Sequence, residues 1–525
     1  MKKILPIFLI LMLLCSCGGN SNENNVPDED LTALSGGEIR LFCDNPDTLN
    51  PLVTGYKSIS NVMHLVYDGL YRVENDFSAT PVLSSGYTTN ADNTQYVVRL
   101  KKGVKFHNGT SFGAEDVIST LDNIKNSASV YNANLSNVVS YAIGDDNSVV
   151  FNLAKSQANF VNLLDFPVLP SEETEKDYQV ENKNFFPNGT GKFKVTAVNG
   201  DCVNLETNKD YHNGKTYVEK AKITFVENKD VVKYSFDAKE IDVVTTDLYA
   251  WGDTSMAGDF TTNEYESNRL TFLGFNCKMP VTAQSEVRRA FSTAVDKTNI
   301  VSEIMYSHGA AVDSPVNPNA YFANKTYVRP NFEPGKAREE LKNKGWLDFD
   351  NDGVLDKYFG EDKMSLSFNL VVNAQNETLL KLANYLSENL ISEGILINVV
   401  ELDYEQYLLA ISNGEFDLFV GRVDISNDCN LDFMLESSAP QNYFGYSSSE
   451  MDGALYNISV ATDNHGVKNA YKSFDEIFKN ECPFVPFYFE TDAVFSSSRI
   501  KGNLQFSRTG VYTGFQKVFV NYEEK

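Results

Sequence analysis

The residues at positions 109–113 read Gly-Thr-Ser-Phe-Gly and match the pattern G-x-S-x-G, which in α/β-hydrolases marks a nucleophilic serine between a strand and a helix. The pattern predicts a helix over 113–125, with Thr110 or Ser111 as its cap. The predicted strand over 94–106 carries four cations, whereas the central strand of a hydrolase is continuously apolar. Ser111 is therefore interpreted as a turn residue, and a secreted serine hydrolase remains the alternative from another functional class.

A second set of candidate functional residues could bind a metal ion. It lies at 348–356, which read Asp-Phe-Asp-Asn-Asp-Gly-Val-Leu-Asp. The acidic residues stand at positions one, three, five and nine of a calcium-binding EF-hand loop, with glycine at six, but position twelve is Phe359 instead of the bidentate glutamate. A structural calcium site and a plain aspartate-rich turn both remain open, and no other cofactor is expected. The candidate ligands are Asp348, Asp350, Asp352 and Asp356.

The N-terminus has the pattern of a bacterial lipoprotein signal. Two lysines precede the apolar run 4–14, which is shorter than the about 20 residues of a spanning helix. The run ends in Leu-Cys-Ser-Cys, so we expect a signal peptide over 1–16 and a lipid on Cys17. Residues 17–36 are polar and acidic and are expected to form a flexible tether between the lipid and the folded body.

Length and charge limit the remaining possibilities. A chain of 525 residues predicts two or three domains, and its formal net charge of −26 argues against a nucleic-acid partner, because an acidic surface repels phosphate. The five cysteines after Cys17 are widely spaced and form no C-x-x-C pair. We expect most of them to be small buried residues, with at least one unpaired.

Residues 103–117, GVKFHNGTSFGAEDV, resemble the signature region of the family 5 extracytoplasmic solute-binding proteins. This family includes the oligopeptide-, dipeptide- and nickel-binding lipoproteins of bacterial ABC importers. Seven further stretches resemble family motifs and occur in the family's order, at 48–52, 66–70, 189–191, 273–276, 287–291, 295–297 and 336–346. The resemblance therefore covers nearly all of the chain that follows the tether.

The resemblance implies an α/β fold with two lobes, the type II periplasmic-binding-protein fold similar to cluster C, and a ligand cleft between the lobes. Lobe I would comprise 37–267 and 485–525, with an extra subdomain over about 61–185, and lobe II would comprise 268–484. It also implies a monomeric, non-enzymatic receptor, anchored outside the cytoplasm to the cell membrane by its lipid. Closure around a small ligand would create the state that an ABC permease recognises.

The resemblance also suggests binding residues in lobe II. Peptide-binding members carry a stretch similar to G-W-x-x-D-Y-x-D-P, whose first aspartate pairs with the ammonium group of the peptide. In the matching stretch 421–429, Arg422 replaces the tryptophan, Ile425 stands at the ammonium-binding position, and Asp424 lies one residue earlier. Asp428 matches the second acidic residue. Arg422 indicates a carboxylate or another anion on the ligand, and a structural salt bridge of Arg422 stays open as the alternative.

In lobe I, the resemblance assigns Gly55, Tyr56, Lys57 and Ser58 to a loop whose backbone pairs with an extended ligand. Trp251 lies in a region that faces the cleft in the family, as a stacking wall or as a core residue. The expected ligand is a short peptide. A nickel chelate, an amino-sugar or an opine-like acid is the alternative, although nickel itself is disfavoured because the chain has only five histidines.

Overall fold

The structure is a computed structural model that describes residues 35–172, 184–228, 230–246, 258–325, 332–502 and 504–520. The expected signal peptide, Cys17 and Trp251 lie outside the described residues. Within these ranges, no helix combines the length and the apolar character that crossing a membrane requires.

The strands follow from runs of β-branched and aromatic residues. In chain order they are β1 (Glu38–Asp44), β2 (Tyr71–Val73), β3 (Ala79–Pro81), β4 (Ser84–Thr89), β5 (Gln95–Leu100), β6 (Val138–Gly144), β7 (Ser148–Leu153), β8 (Phe193–Val198), β9 (Cys202–Thr207), β10 (Lys220–Val226), β11 (Val243–Thr245), β12 (Phe260–Phe275), β13 (Gly309–Ala311), β14 (Asp356–Phe359), β15 (Asp362–Ser365), β16 (Ser367–Asn373), β17 (Leu396–Leu402), β18 (Leu418–Asp424), β19 (Phe484–Ser497), β20 (Ile500–Gly502) and β21 (Val518–Val520).

The helices carry apolar residues on the face that packs against the sheets. They are α1 (Lys57–Met63), α2 (Ala114–Asn126), α3 (Asp230–Asp237), α4 (Ser285–Ala294), α5 (Lys297–Glu303), α6 (Lys336–Asn343), α7 (Glu377–Leu390), α8 (Tyr404–Asn413), α9 (Asp432–Leu435), α10 (Ser449–Ser459) and α11 (Asn464–Glu481).

Three larger sheets organise the described residues. One has the order β1-β10-β9-β8, a second has the order β4-β5-β7-β6, and the third has the order β11-β19-β12-β18-β16-β17, with β13 also paired to β19. In the third sheet β16 runs parallel to β17 and to β18, and helices α7 and α8 make the two crossovers. This βαβαβ unit belongs to lobe II, whereas the first two sheets share one hydrophobic core in lobe I.

Strands β12 and β19 connect the two lobes. They pair with each other in antiparallel fashion from Phe260 opposite Ser497 to Gly274 opposite Phe484, with register shifts between Glu266 and Leu270 and between Thr271 and Phe272. At one end Phe495 packs with lobe I residues, and at the other end their apolar residues join the lobe II core. The predicted lobe boundaries fall within β12 and at the start of β19 and stay a prediction.

Two local expectations need correction. Helix α2 forms where expected, but Gly113 is its N-cap instead of Thr110 or Ser111, because the Asp116 carboxylate accepts the Gly113 N–H at 2.8 Å. The apolar spacing of residues 286–305 predicts one continuous amphipathic helix. The structure breaks this stretch into α4 and α5, because the Asp296 carboxylate caps α5 by accepting from the Asn299 N–H.

The five described cysteines are unpaired, and four of them are buried, as expected for small apolar residues. They are Cys43, Cys202, Cys277, Cys429 and Cys482.

Candidate ligand-binding cleft

Strands β12, β18 and β19 carry a group of ionised side chains that we call the charged face: Arg269, Arg422, Asp424, Glu490 and Asp492. Glu490 binds two guanidinium groups. Arg422 Nε lies 2.6 Å from Glu490 Oε1, and Arg422 Nη2 donates to Oε2 at 3.0 Å. Arg269 Nε donates to the same Oε2 at 2.7 Å, and its Nη2 donates to Asp492 Oδ1 at 2.5 Å.

The sheet register places these groups together. Side chains two residues apart lie on the same face of a strand, which aligns Arg422 with Asp424 on β18 and Glu490 with Asp492 on β19. Arg269 on β12, between those two strands, is opposite Asp424 in the ladder. The charged face therefore results from three strands that are distant in sequence.

The charged groups of this face differ in how fully they are paired. Burial alone would lower the pKa of Arg269, but Asp492 and Glu490 hold it above its ordinary value. The Arg422 side chain is still 39% exposed, and its two bonds to Glu490 use only two of the five N–H donors of a guanidinium. Asp424 is exposed and forms no ion pair with any part of the chain that the structure describes. Arg422 and Asp424 thus retain capacity for a ligand that carries both signs of charge.

Asp428 is placed differently from Arg422 and Asp424. It is 4% exposed, and its carboxylate accepts from Gln157 Nε2 of lobe I at 2.7 Å and from Ser426 Oγ at 2.5 Å. Burial raises its pKa. Ile425 is buried in the lobe II core. In this structure Asp428 therefore joins the two lobes and is not aligned with the charged face.

The lobe I loop divides into exposed and structural residues. Gly55, Tyr56 and Lys57 are exposed at the start of α1. Ser58 is buried, and its hydroxyl donates to Asp44 at 2.5 Å, so it stabilises the loop. The Gly55 N–H donates to Asp47 at 2.8 Å. These bonds stay within lobe I and hold the loop in place, while the exposed residues remain the candidates for ligand contact.

A second contact region, which we call the lobe junction, is formed by side-chain amides of lobe I. Asn162 Nδ2 lies 2.9 Å from both the Phe77 and the Asn427 carbonyl oxygens, and so bridges the lobes. Asn93 Nδ2 donates to two lobe II carbonyls, of Ser459 and Ala461, at 3.0 and 2.9 Å. The Gln157–Asp428 bond belongs to the same region. Neutral donors therefore make most of these contacts.

Phe77 anchors the lobe junction. It lies at the tip of the β2–β3 hairpin with φ of 63°, is fully buried, and belongs to the same hydrophobic cluster as many lobe II residues. The Arg508 guanidinium carbon lies 3.6 Å from the centre of the Phe77 ring, a cation–π contact. Nearby, Asp165 accepts from Asn427 Nδ2 at 3.1 Å, and burial raises the pKa of this carboxyl to about 6. The junction thus combines apolar packing with buried polar bonds.

The acidic turn brings three of its four predicted ligands together. Carboxylate oxygens of Asp348, Asp350 and Asp352 lie within 4.8 Å of one another, and Asp348 Oδ1 is buried with no hydrogen-bond partner among the described residues. Asp356 is buried apart from them and binds Lys363 Nζ at 3.1 Å. The same ammonium lies 2.7 Å from Asp350 and lowers its pKa through this hydrogen bond. The three clustered carboxylates fit calcium, although Lys363 already provides a cation at one edge.

Ser111 has no catalytic surroundings within the described residues. It is exposed and forms an isolated β-bridge with Lys105. His107, the histidine nearest in sequence, bonds through Nε2 to the Gly191 carbonyl at 2.9 Å and accepts the Gly189 N–H at Nδ1 at 3.3 Å. The motif is therefore a strand–turn–helix corner, as expected from the sequence.

Comparison with known proteins decides the family. The model for bacterial extracellular solute-binding proteins, family 5, matches residues 78–444 of the chain. The chain belongs to this family. As a family 5 solute-binding protein it is 22% identical to the oligopeptide-binding protein AppA of Bacillus subtilis, over 96% of this chain and 95% of AppA.

Solved structures confirm the two-lobed α/β fold of this family 5 protein. HbpA2 from Haemophilus parasuis aligns with a TM-score of 0.77 at 20% identity, over 92% of this chain and 100% of HbpA2. NikZ from Campylobacter jejuni, solved in complex with Ni(L-His), aligns with a TM-score of 0.63 at 20% identity, over 92% of this chain and 99% of NikZ. The predicted family and fold class are therefore confirmed.

Sequence reasoning missed Arg269, Glu490 and Asp492. The family motif contains none of them, so their link to Arg422 could not be inferred from it. One signal was present: β19 reads FVPFYFETDAVFSS, and its two carboxylates interrupt a strand that is otherwise almost wholly buried. Carboxylates in such a strand require partners, because an isolated buried charge is strongly destabilising.

Proposed function

We propose that this family 5 protein is a lipid-anchored receptor outside the cytoplasm. It encloses a short peptide between its two lobes and delivers it to the permease of an ABC importer. The protein would act as a monomer and without catalysis. The family match and the name of the relative AppA support a peptide, and the charged face supports a ligand with a free carboxylate.

The observation that carries the proposal is the state of Arg422. Its guanidinium is oriented by Glu490 and remains partly exposed beside Asp424, which lies on the same face of β18. A fixed guanidinium binds a carboxylate through two parallel hydrogen bonds. Asp424 would then take the ammonium group of the same ligand, from the position that sequence alone left in doubt.

The test is the affinity of the Arg422→Ala variant for the ligand that co-purifies with the wild-type protein, after that ligand has been identified by mass spectrometry. Truncating one partner of a desolvated charge pair costs on the order of 2–5 kcal/mol, so we expect affinity to fall at least about tenfold. Thermal stability without ligand should hardly change, because Glu490 keeps its bond to Arg269.

The matched control is Lys102→Ala, which removes an exposed cation that pairs with Asp146 and with none of the charged-face residues, and which should leave the affinity unchanged. A loss of stability with unchanged affinity in Arg422→Ala would show that Arg422 is a structural salt bridge. Identification of a nickel chelate or another small acid in place of a peptide would keep the receptor function and replace the substrate class.

Membrane attachment is the second part of the proposal. It is supported by three features that precede the acidic tether: two lysines, the apolar run 4–14 and the sequence Leu-Cys-Ser-Cys. Cys17→Ala would lack the thioether that carries the lipid, so the variant should move from the membrane fraction to the soluble fraction. Retention on membranes after a high-salt wash would contradict lipid anchoring, and the measurement is fractionation followed by immunoblotting.

A further inference from the structure

Helix α8 exposes apolar side chains where a surface helix normally carries polar ones. Tyr404, Leu408 and Leu409 are all exposed, and Leu409 is exposed to 59% of its surface. The opposite side of α8 is anchored by Tyr407, Ala410 and Ile411, which are buried. Exposed apolar residues grouped on a rigid element indicate a surface that another molecule covers.

The chain segment that carries these apolar residues has charges of one sign. Residues 396–421, from the start of β17 to within β18, contain five acidic residues and no lysine, arginine or histidine. Four of the acidic residues are exposed: Glu401, Asp403, Glu405 and Glu415. We name the three apolar residues and these four carboxylates the α8 surface.

The sign of the charge selects among possible occupants. A second copy of a chain with net charge −26 would bring another acidic surface, and an anionic lipid surface would be repelled in the same way. A protein surface that presents an apolar side chain flanked by lysine or arginine would match both the apolar centre and the acidic rim. The α8 surface therefore fits a cationic protein partner.

The α8 surface is also connected to the charged face. The Tyr407 hydroxyl donates to the Val420 carbonyl of β18 at 2.6 Å, two residues before Arg422. Tyr407 therefore links α8 directly to the strand that carries Arg422. A partner that distinguishes the loaded from the empty receptor needs a surface joined to the binding residues, and α8 meets this requirement.

We propose that the α8 surface is the part of lobe II that docks on the permease, through contact of Leu408 and Leu409 with an apolar side chain and of the surrounding carboxylates with basic residues. This inference rests on the proposed function and adds the docking surface to it.

The test places a photo-crosslinking amino acid at position 409 of the full-length protein in membranes of the source organism. We expect a crosslink to a transmembrane permease subunit, identified by mass spectrometry. The control is the same amino acid at position 139, where Val139 of lobe I is similarly exposed, at 66%. The position 139 variant should give no such crosslink. The charge reversal Glu405→Lys should reduce the crosslink from position 409 at least about tenfold, because it places a cation against the basic residues of the partner.

A crosslink to a second copy of the chain or to lipid, equal crosslinks from positions 409 and 139, or no crosslink at all would overturn the inference. Circular dichroism and the melting temperature confirm that each variant is folded. The same preparations are assayed for co-purified ligand. A variant that retains ligand but fails to crosslink contradicts only the docking surface, whereas the absence of any bound ligand in the wild-type protein contradicts the proposed function.

Discussion

The lobe junction and the charged face are both built from polar side chains, but they differ in charge and in satisfaction. In the junction, the side-chain amides of Asn93, Asn162 and Gln157 donate five hydrogen bonds in total. Four of these bonds go to neutral backbone carbonyls, and the fifth goes to the Asp428 carboxylate. In the charged face, two arginines share Glu490, and Arg422 stays partly exposed. The polar groups of the junction bond to one another, mostly across the lobes, whereas Arg422 of the charged face retains unused N–H donors.

This difference shows how one structure can separate stability from binding. A neutral hydrogen bond to a buried carbonyl satisfies both groups without removing an ion from water. Burying an ionic network costs more free energy, because its charged groups must leave water. A charged ligand can also take the place of one of its members. We therefore expect changes in the junction to alter the free energy of unfolding and changes in the charged face to alter affinity.

The largest effect is expected from Phe77→Ala in the junction. The substitution removes a fully buried ring from a lobe II cluster and the surface on which Arg508 stacks, so the free energy of unfolding should fall by about 3–5 kcal/mol. Urea denaturation of the ligand-free protein measures it. Phe349→Ala, which truncates an exposed phenylalanine, should change the same quantity by less than about 0.5 kcal/mol. Equal effects of the two substitutions would show that the junction contributes little to stability.

The second prediction uses the junction carboxyl of Asp165, whose pKa burial raises from 3.8 to about 6. Between pH 3.8 and about pH 6, the Asp165 carboxyl is mostly protonated in the folded chain and mostly ionised in the unfolded chain. The contribution of Asp165 to the free energy of unfolding is therefore largest at pH 4 and is lost as the pH rises through 6.

Asp165→Asn keeps an acceptor for Asn427 and removes this titration. Its stability relative to the wild-type protein should increase by about 2 kcal/mol from pH 4 to pH 7, because each unit of pKa shift corresponds to about 1.4 kcal/mol. Urea midpoints of both proteins at four pH values measure the difference. A difference that stays constant with pH would mean that folding does not raise the pKa of Asp165.

The smallest effect concerns the acidic turn, which resembles the charged face because it also has unused bonding capacity: Asp348 Oδ1 is buried with no hydrogen-bond partner among the described residues. We propose that the carboxylates of Asp348, Asp350 and Asp352 bind calcium, and a calcium concentration equal to the dissociation constant would then stabilise the folded chain by about 0.4 kcal/mol. A chelator should lower the melting temperature slightly, and calcium should restore it. Lys363→Ala should strengthen the response, because it removes the ammonium group that competes for Asp350. No response of either protein over a millimolar range would leave the turn as plain structure.

The sequence by itself determined what depends on neighbouring residues. Apolar spacing and turn residues predict helices that start at 113, 334 and 377. Helices α2, α6 and α7 begin within about two residues of these positions, because both signals are local. The family could also be inferred from the sequence, because its motifs are short stretches that occur in the family's order. Where a local signal competed with another, the prediction was wrong: Asp296 ends one helix and starts the next by capping, which apolar spacing alone does not reveal.

Only the tertiary structure decided which charges meet. Glu490 is 68 residues from Arg422 and 221 residues from Arg269, and Gln157 is 271 residues from Asp428. These pairs depend on the register of β12, β18 and β19 and on the contact between lobes. A shift of one residue in any of these strands would turn the side chains to the other face. No local pattern of residue types specifies such a register, because it is fixed by the packing of both hydrophobic cores.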